Sequence, residues 1–257
     1  SEQAVWKQFG QAVTELPCIS IDEVFRSVEA GTAEFGVVPV ENSTEGTINR
    51  TLDLLLQTTL FINGEVALPV HHSLMTKTGS MENVTTICAH SQALAQCQSW
   101  LNERYPAVPR QAVASNGEAA RMAVDNPGMA AIAGEMAAKR YGLSIVHAHI
   151  QDDPHNRTRF VVIGKLSPGP SGRDQTSLVL SVPNKPGAVY ELLAPLARHG
   201  VSMTRFESRP ARTGRWDYYF YVDIEGHASD AKVAQALTEL QVQAAFFKIL
   251  GSYPHAS

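Results

Sequence analysis

Asn156-Arg157-Thr158-Arg159-Phe160-Val161-Val162-Ile163 changes character at Phe160, polar before it and apolar from it onward. The apolar half reads as a buried strand, so Thr158 and Arg159 stand where that strand emerges at a sheet edge. A strand end is a rigid mount. A guanidinium fixed there is a permanent partner for a carboxylate, and a neighbouring hydroxyl can donate one hydrogen bond beside it. Taken alone, these residues fit equally an Arg159 paired with a structural carboxylate and a Thr158 present only as a β-branched strand residue.

Working outward, Phe35-Gly36-Val37-Val38-Pro39-Val40 is a second short buried strand. It ends in the polar turn Glu41-Asn42-Ser43-Thr44-Glu45-Gly46, and a helical run from Ile48 to Leu56 follows. Strand, polar turn and helix are the layout of an α/β ligand site, where helix N-termini offer unpaired N–H groups to anions. The expectation is that residues up to 166 bring segment 156–160 and the turn after Val40 to one cleft. Ser20-Ile21-Asp22-Glu23 is a capping box heading a helix with Val24, Phe25 and Val28 inward. Glu65 to Met75 reads as one long strand, after which the chain crosses into a second lobe of similar grammar. There Ile87-Cys88-Ala89-His90 is a strand, Ser91 is placed to cap a helix, and Gln92 and Gln96, four apart, share a helix face. Ser115-Asn116-Gly117-Glu118 is another capping box. Met129–Ala133 is a strand, Glu135–Tyr141 a helix stopped by Gly142, and Ser144–Ile150 a strand.

Four of the six residues in Ser167-Pro168-Gly169-Pro170-Ser171-Gly172 are Pro or Gly, which is linker composition. After it the pattern runs strand Ser177–Val182, helix Ala188–Arg198, strands Val201–Ser208 and Asp217–Ile224, helix Asp230–Leu240 and strand Ala245–Leu250. This βαββαβ order is the ferredoxin-like arrangement.

The balance of 257 residues excludes several classes of function. With 44% hydrophobic and 18% charged residues and a net charge of −4, the composition is globular, and no basic block points to nucleic acid or an anionic membrane. No apolar run approaches the roughly 18 to 20 residues of a membrane span. Three cysteines, Cys18, Cys88 and Cys97, are an odd count in unrelated apolar contexts, the usage of reduced packing thiols in a cytoplasm.

Read as a set, several segments resemble the prephenate dehydratase family. They are Val38-Pro39-Val40-Glu41-Asn42-Ser43 with Glu45-Gly46, His90 with Gln92 and Gln96-Cys97, Ala131-Ile132-Ala133 running to Tyr141-Gly142-Leu143, and Asn156 with Thr158-Arg159-Phe160. Past the linker, Asn184-Lys185-Pro186-Gly187-Ala188-Val189-Tyr190 and Phe206-Glu207-Ser208-Arg209-Pro210 resemble the two effector motifs of the regulatory ACT domain in these enzymes. Val189 stands where the family pattern usually has Leu. The resemblance implies an α/β catalytic domain, two-lobed like a periplasmic binding protein around a central cleft, over 1–166. Lobe one would be about 1–75 with 151–166, and lobe two about 76–150. A linker at 167–175 and a ferredoxin-like ACT domain at 176–257 would follow. It also implies a first strand and glycine turn upstream of Ser1, and leaves open a fusion there to chorismate mutase.

The activity so implied is decarboxylating dehydration of prephenate to phenylpyruvate in phenylalanine biosynthesis, without cofactor or metal and with feedback inhibition by phenylalanine. The enzyme would be a cytoplasmic homodimer or dimer of dimers. Aromatisation drives the reaction, so the protein must hold one carboxylate, leave the other able to depart as CO2, and supply a donor to the leaving hydroxyl. Thr158 is assigned to that hydroxyl. Arg159 is assigned to the side-chain carboxylate, with helix-start N–H groups near Ser43, Ser91 and Ser115, because a guanidinium on the ring carboxylate would oppose its loss. Glu41, Asn42 and Gln96 complete the catalytic set. Ser43, His90, Gln92, Ser115, Asn156 and Phe160 line the cleft. Phenylalanine would meet Asn184, Pro186, Gly187, Ala188, Val189, Glu207, Ser208, Arg209 and Pro210, where small residues let the backbone approach.

Each assignment has a plainer counterpart. Ser91 and Ser115 can be helix caps, Asn156 a turn residue, Glu41 a surface ion-pair partner, Gln92 and Gln96 a solvated face, and His90 a structural histidine. The Gly187 segment can be a tight turn with an ion pair beside it. Rival functions are a non-catalytic small-carboxylate binder with an amino-acid sensor, a dehydratase acting on arogenate, and a metal hydrolase built on His147, His149, Asp152, Asp153 and His155.

Overall fold

The computed structural model describes residues 2–182, 185–211 and 218–256. Asn184 and Asp217, named above, lie outside the described residues. Two compact units emerge, one of Ser1–Leu68 with Thr158–Ser257 and the other of Pro69–Arg157. The second unit therefore begins before the expected position 76 and runs past 150.

The first unit opens with α1 (Glu2–Phe9), α2 (Ile21–Glu29), β1 (Phe35–Asn42), β2 (Gly46–Thr47), α3 (Asn49–Gln57) and β3 (Phe61–Pro69). Ser20 caps α2 as its sequence demands: its Oγ accepts from the Glu23 N–H at 3.2 Å, while the Glu23 carboxylate accepts from the Ile19 N–H at 2.7 Å. The expected strand from Glu65 to Met75 is two strands. Pro69, which has no N–H to give a ladder, ends β3, and the chain resumes at β4 (Ser73–Thr76) in a different sheet.

In the second unit β4 is followed by β5 (Thr86–His90), α4 (Ser91–Gln96), α5 (Gln98–Arg104), β6 (Arg110–Val113), α6 (Asn116–Asp125), β7 (Met129–Ala133), α7 (Glu135–Tyr141) and β8 (Ser144–His147). Its sheet order is β6-β5-β7-β4-β8, with β5 parallel to β6 and β7 and β4 antiparallel to β7 and β8. Helix α5 and strand β6 carry no strong pattern in the sequence, which marks neither. The helix after His90 breaks at Cys97, and the Asp152 carboxylate accepts from the N–H groups of Ser99 and Trp100 at the start of α5, at 2.8 and 2.9 Å. Cys88 and Cys97 are packed in apolar clusters, and burial pushes the Cys97 thiol up to about 12, so both act as packing residues.

The chain returns to the first unit with β9 (Arg157–Gly164), β10 (Asp174–Ser181), α8 (Ala188–Arg198), β11 (Met203–Pro210), β12 (Tyr218–Glu225), α9 (Ala231–Gln243) and β13 (Phe246–Pro254). The last six elements form the expected βαββαβ fold, an antiparallel sheet in the order β11-β12-β10-β13. The earlier sheet has the order β2-β1-β9-β3. The two sheets share one core: Val179, Tyr221, Leu250 and Tyr253 pack with Leu52, Leu55, Ile62, Val161 and Ile163. At Gly251 the two approach closely, since a side-chain carbon there would collide with the backbone of Ile62.

Helix α3 is gripped along its length by the later sheet. Arg209 Nη1 donates to the Asn49 carbonyl at 2.6 Å, the Tyr221 hydroxyl donates to the Leu52 carbonyl at 2.8 Å, and Lys248 Nζ donates to the carbonyls of Leu55, Leu56 and Thr58 at 2.8, 3.0 and 2.5 Å. The last three are carbonyls that a helix C-terminus cannot satisfy within itself.

Candidate active site

The two segments that the sequence singles out meet as neighbouring strands. β1 and β9 are antiparallel with Asn42 opposite Thr158 and Glu41 opposite Arg159, although 116 residues separate Asn42 from Thr158. Successive residues on a strand point to opposite faces, so this register sorts the four into two pairs: Asn42 with Thr158 on one face, Glu41 with Arg159 on the other.

On the first face Asn42 Nδ2 donates to Thr158 Oγ1 at 3.0 Å. The amide orientation follows from its other end. Asn42 Oδ1 accepts from the N–H groups of Thr44 and Glu45 at 3.0 and 3.2 Å, and only an oxygen can do that, so the group facing Thr158 is the NH2. Thr158 Oγ1 is thus an acceptor toward Asn42, and its own proton is directed elsewhere. Asn42 is 6% exposed, while Thr158 is half-buried. Phe160 lies on the same face but is buried in a cluster with Ala4, Val37, Val66 and Val162, a core residue where a substrate contact was expected.

The second face departs further from the sequence expectation. Arg159 Nε donates to Glu65 at 2.8 Å and its Nη2 donates to Asp223 at 2.9 Å and to the Tyr253 hydroxyl at 3.2 Å. Glu41 is 3.7 Å from Nη1. Burial works against the charge on Arg159, but Tyr253, Asp223 and Glu65 outweigh it and raise its pKa above an arginine's ordinary value. Ser177 and Gln175 close the network, the first donating to Asp223 at 2.5 Å and the second to Glu65 at 2.6 Å. Arg159 was expected beside Thr158 on a substrate carboxylate. Alternation turns it to the opposite face, and protein carboxylates already occupy its donors. The plainer reading of Arg159, a structural ion pair, is what the geometry displays. Glu65 and Asp223 escaped the sequence reading, although each is an acid inside an apolar strand pattern, a placement that requires a buried partner.

Within the second unit, the His90 ring rather than Ser91 caps α4, its Nδ1 accepting from the Gln92 N–H at 3.3 Å. The His90 N–H donates to Asn116 Oδ1 at 2.8 Å. Ser115 caps α6 through the Glu118 N–H at 3.0 Å, and the Glu118 carboxylate accepts from the Ala114 N–H, so its capping role is fully expressed. Gln92 is exposed, whereas Gln96 lies with its Oε1 2.7 Å from His72 Nε2. His72 is 6% exposed, and its Nδ1 has no protein partner. Burial lowers its pKa below the ordinary 6.5, so the ring is held neutral. No sequence signal marked His72 apart from its neighbour His71. Asn156 is 1% exposed and its carbonyl accepts from the Val70 N–H at 2.8 Å.

The metal reading does not assemble. Among the described residues no group of three His, Cys, Asp or Glu could hold an ion. His147 faces the Tyr105 hydroxyl at 2.8 Å, His149 stacks on His71, Asp152 caps α5, and Asp153 accepts from the His155 N–H. A cavity of about 240 Å³ lined by Lys7, Asn63, Glu65 and His255 touches none of the expected substrate residues.

The expected effector residues fall on the start of α8 and on β11. Gly187 precedes α8 with φ +79°, a left-handed conformation that glycine adopts without strain, and Pro186 and Gly187 form its turn. Ala188 is buried and Val189 packs on the second core, while an exposed Lys185–Glu191 ion pair of 3.0 Å lies alongside. On β11, Phe206, Ser208 and Pro210 are exposed, whereas Arg205 and Glu207 are half-buried and Arg209 is buried. Arg209 pairs with Asp53 at 3.1 Å in addition to its bond to Asn49, so its side chain is turned to α3 rather than to open space.

Comparisons with known proteins add the following. A family model described as prephenate dehydratase matches residues 1–168, and one described as ACT domain matches residues 176–241. The bifunctional chorismate mutase/prephenate dehydratase of Pseudomonas aeruginosa is 48% identical over 257 residues, which is all of this chain and 70% of that protein. Among solved structures, a prephenate dehydratase from Arthrobacter aurescens in complex with L-Phe superposes with a TM-score of 0.89 at 33% identity, covering 98% of this chain and 86% of that one. A protein described as GqqA, a novel type of quorum quenching acylase, also reaches a TM-score of 0.89, at 31% identity and with 99% and 94% coverage.

Proposed function

We propose, on the premise that this chain belongs to the prephenate dehydratase family and carries an ACT domain behind it, that Thr158 and Asn42 perform its dehydration step. The reaction converts prephenate to phenylpyruvate. The bond from the ring to its carboxylate breaks, its electron pair enters the ring, and the ring hydroxyl leaves with the pair of its own C–O bond. One proton turns that hydroxyl into water, and CO2 is the other product. Thr158 is suited to meet the departing oxygen because its Oγ1 already accepts from Asn42 Nδ2 at 3.0 Å, which leaves its O–H to donate outward. Accepting one hydrogen bond polarises a hydroxyl and strengthens the one it donates. That bond is the observation that carries the reading. A threonine hydroxyl is too weak an acid to surrender its proton alone, so it acts as a donor that is strongest when charge has built on the leaving oxygen.

For Gln96 we retain a catalytic role, and for Ser43, His90, Gln92, Ser115 and Asn156 a role in substrate binding, each on the resemblance. Arg159 and Glu41 contribute by holding the strand ends. The ACT segment is proposed to bind phenylalanine through the Gly187 turn and β11, as supported by the L-Phe complex of a structure similar over nearly the whole chain. The effector inhibits by favouring one state of a homodimer, which requires unequal affinity for the two states. The half-buried Cys18 and the buried Cys88 and Cys97 are free thiols, in keeping with a cytoplasmic enzyme, and among the described residues no helix is long and apolar enough to cross a membrane.

The deciding experiment is phenylpyruvate formation from prephenate by the chain and its Thr158→Ala variant, with and without phenylalanine, and with arogenate as the competing substrate. Turnover of prephenate that phenylalanine suppresses and Thr158→Ala abolishes is expected. Gly187→Leu, strained by its left-handed backbone, should keep turnover and lose the response to phenylalanine. A folded chain that binds prephenate without converting it would establish the binding-module reading instead.

A further inference from the structure

The hairpin that aims Asn42 is held from outside by a side chain of the ACT segment. Strand β2 has two residues, too few to fix the spread of the hairpin by ladder bonds alone. Arg205 on β11 supplies what is missing. Its Nη2 donates to Thr47 Oγ1 at 3.1 Å and its Nε lies 3.5 Å from Glu41 Oε2. Glu41 and Thr47 are directly opposite each other in the hairpin, so one planar guanidinium grips both legs. Its side chain is 13% exposed, and Asp223, the cross-strand neighbour of Arg205, binds Arg159 on the adjoining strand end. The grip falls on the face opposite Asn42, just before the turn in which Asn42 Oδ1 accepts from Thr44 and Glu45.

We propose that Arg205 is a positioning residue of the dehydratase reaction, gripping Glu41 and Thr47 so that the hairpin directs Asn42 at Thr158. The proposal rests on the reading of the Asn42–Thr158 pair given above. It also gives β11 a mechanical route to the chemistry. Arg205 stands two residues before Glu207 and shares its face, so a displacement of β11 that accompanies effector binding is delivered to the hairpin through Arg205.

The test compares kcat and KM for prephenate in Arg205→Met, Asn42→Ala, the double variant and Lys248→Met. Lys248 also ties the ACT segment to the rest of the first unit, but at the far end of α3. Because small misplacements of a reacting group are costly, Arg205→Met should lower kcat about 10-fold and leave KM within about twofold. In the Asn42→Ala background the same change should cost less than about twofold, since the group it positions is gone. Lys248→Met should lower the melting temperature and leave kcat at the parental value. Arg205→Lys, which keeps the charge without the fork, should fall between parent and Arg205→Met, and it carries the comparison if Arg205→Met does not fold. A parental kcat in Arg205→Met, or an undiminished loss in the Asn42→Ala background, would overturn the proposal. An equal fall of kcat in Lys248→Met would also overturn it, by reducing Arg205 to general attachment. Parental turnover by Asn42→Ala alone would be a different failure, that of the Asn42–Thr158 reading itself.

Discussion

Replacing Thr158 with valine changes one atom type and almost no volume, so it isolates the hydroxyl. Two consequences follow from the structure and differ in size. The first is catalytic: a lost donor to an oxygen on which charge develops costs about 10²–10³ in kcat, or roughly 3–4 kcal/mol of barrier. The second is a cost in stability. Asn42 Nδ2 loses a 3.0 Å partner in a site where the residue is 6% exposed, which is worth about 1 kcal/mol. For a chain of this size that is about 2–4 °C in melting temperature. The variant should therefore be folded at assay temperature and nearly inactive, with KM little changed because the donor matters most in the transition state. Thr158→Ser keeps the hydroxyl and should stay within about fivefold of the parent, losing only the β-branched fit to the strand. Initial rates of phenylpyruvate formation at saturating prephenate, with melts on the same samples, decide the matter. A valine variant with more than about a tenth of parental kcat would refute the donor role of Thr158.

Arg159→Met should fail in a different way from Thr158→Val. Glu65 and Asp223 would each keep a buried carboxylate without its cation, a loss of about 3–5 kcal/mol, so inactivity should come with a melting temperature lowered by about 6–20 °C. Lys248→Met removes a charged donor from three carbonyls at the C-terminus of α3; about 2 kcal/mol of stability, or about 4–8 °C, should go with it, as read by thermal denaturation. His72 gives a pH dependence whose sign is fixed. Its folded pKa is lowered from 6.5 by burial, so below that pH the unfolded chain takes up the proton first, and the stability present above pH 6.5 is lost as pH falls through the depressed value. Melts between neutrality and about pH 5 should show the decline, and His72→Asn should flatten it; an unchanged slope would remove His72 as its source.

Local chemistry made much of the fold readable. Ser20 and Ser115 are capping-box serines in the sequence and cap helices in the structure, Gly142 stops α7 in a left-handed conformation, and the βαββαβ order after the linker appears strand for strand. Part of what escaped lay between competing local signals. The stretch from Glu65 to Met75 reads as one strand only if Pro69 and the polar run His71-His72-Ser73 are passed over, and β3 and β4 do part there into two sheets. Ser91 has the chemistry of a cap, yet the ring of His90, one residue earlier, takes the position.

The candidate site shows why residues adjacent in a motif need not share a task. Glu41-Asn42 and Thr158-Arg159 each read as a unit in the sequence, and both were assigned to one substrate. Once β1 and β9 pair with Asn42 opposite Thr158, the period of two sends Glu41 and Arg159 to the other face. Their identity then answers to what covers that face, which is Glu65, Asp223, Tyr253 and Arg205. Three of those four belong to the last third of the chain, too far away for any local pattern to announce them. On the proposed reading, the same dipeptides join chemistry to regulation. Asn42 and Thr158 are mounted on those strand ends, and on the opposite face the ends are anchored to the ACT segment through Arg205 and Asp223. On that reading, a domain that binds an effector on β11 needs no contact with the substrate to alter the reaction, because Arg205 and Asp223 already touch the strand ends that carry Asn42 and Thr158.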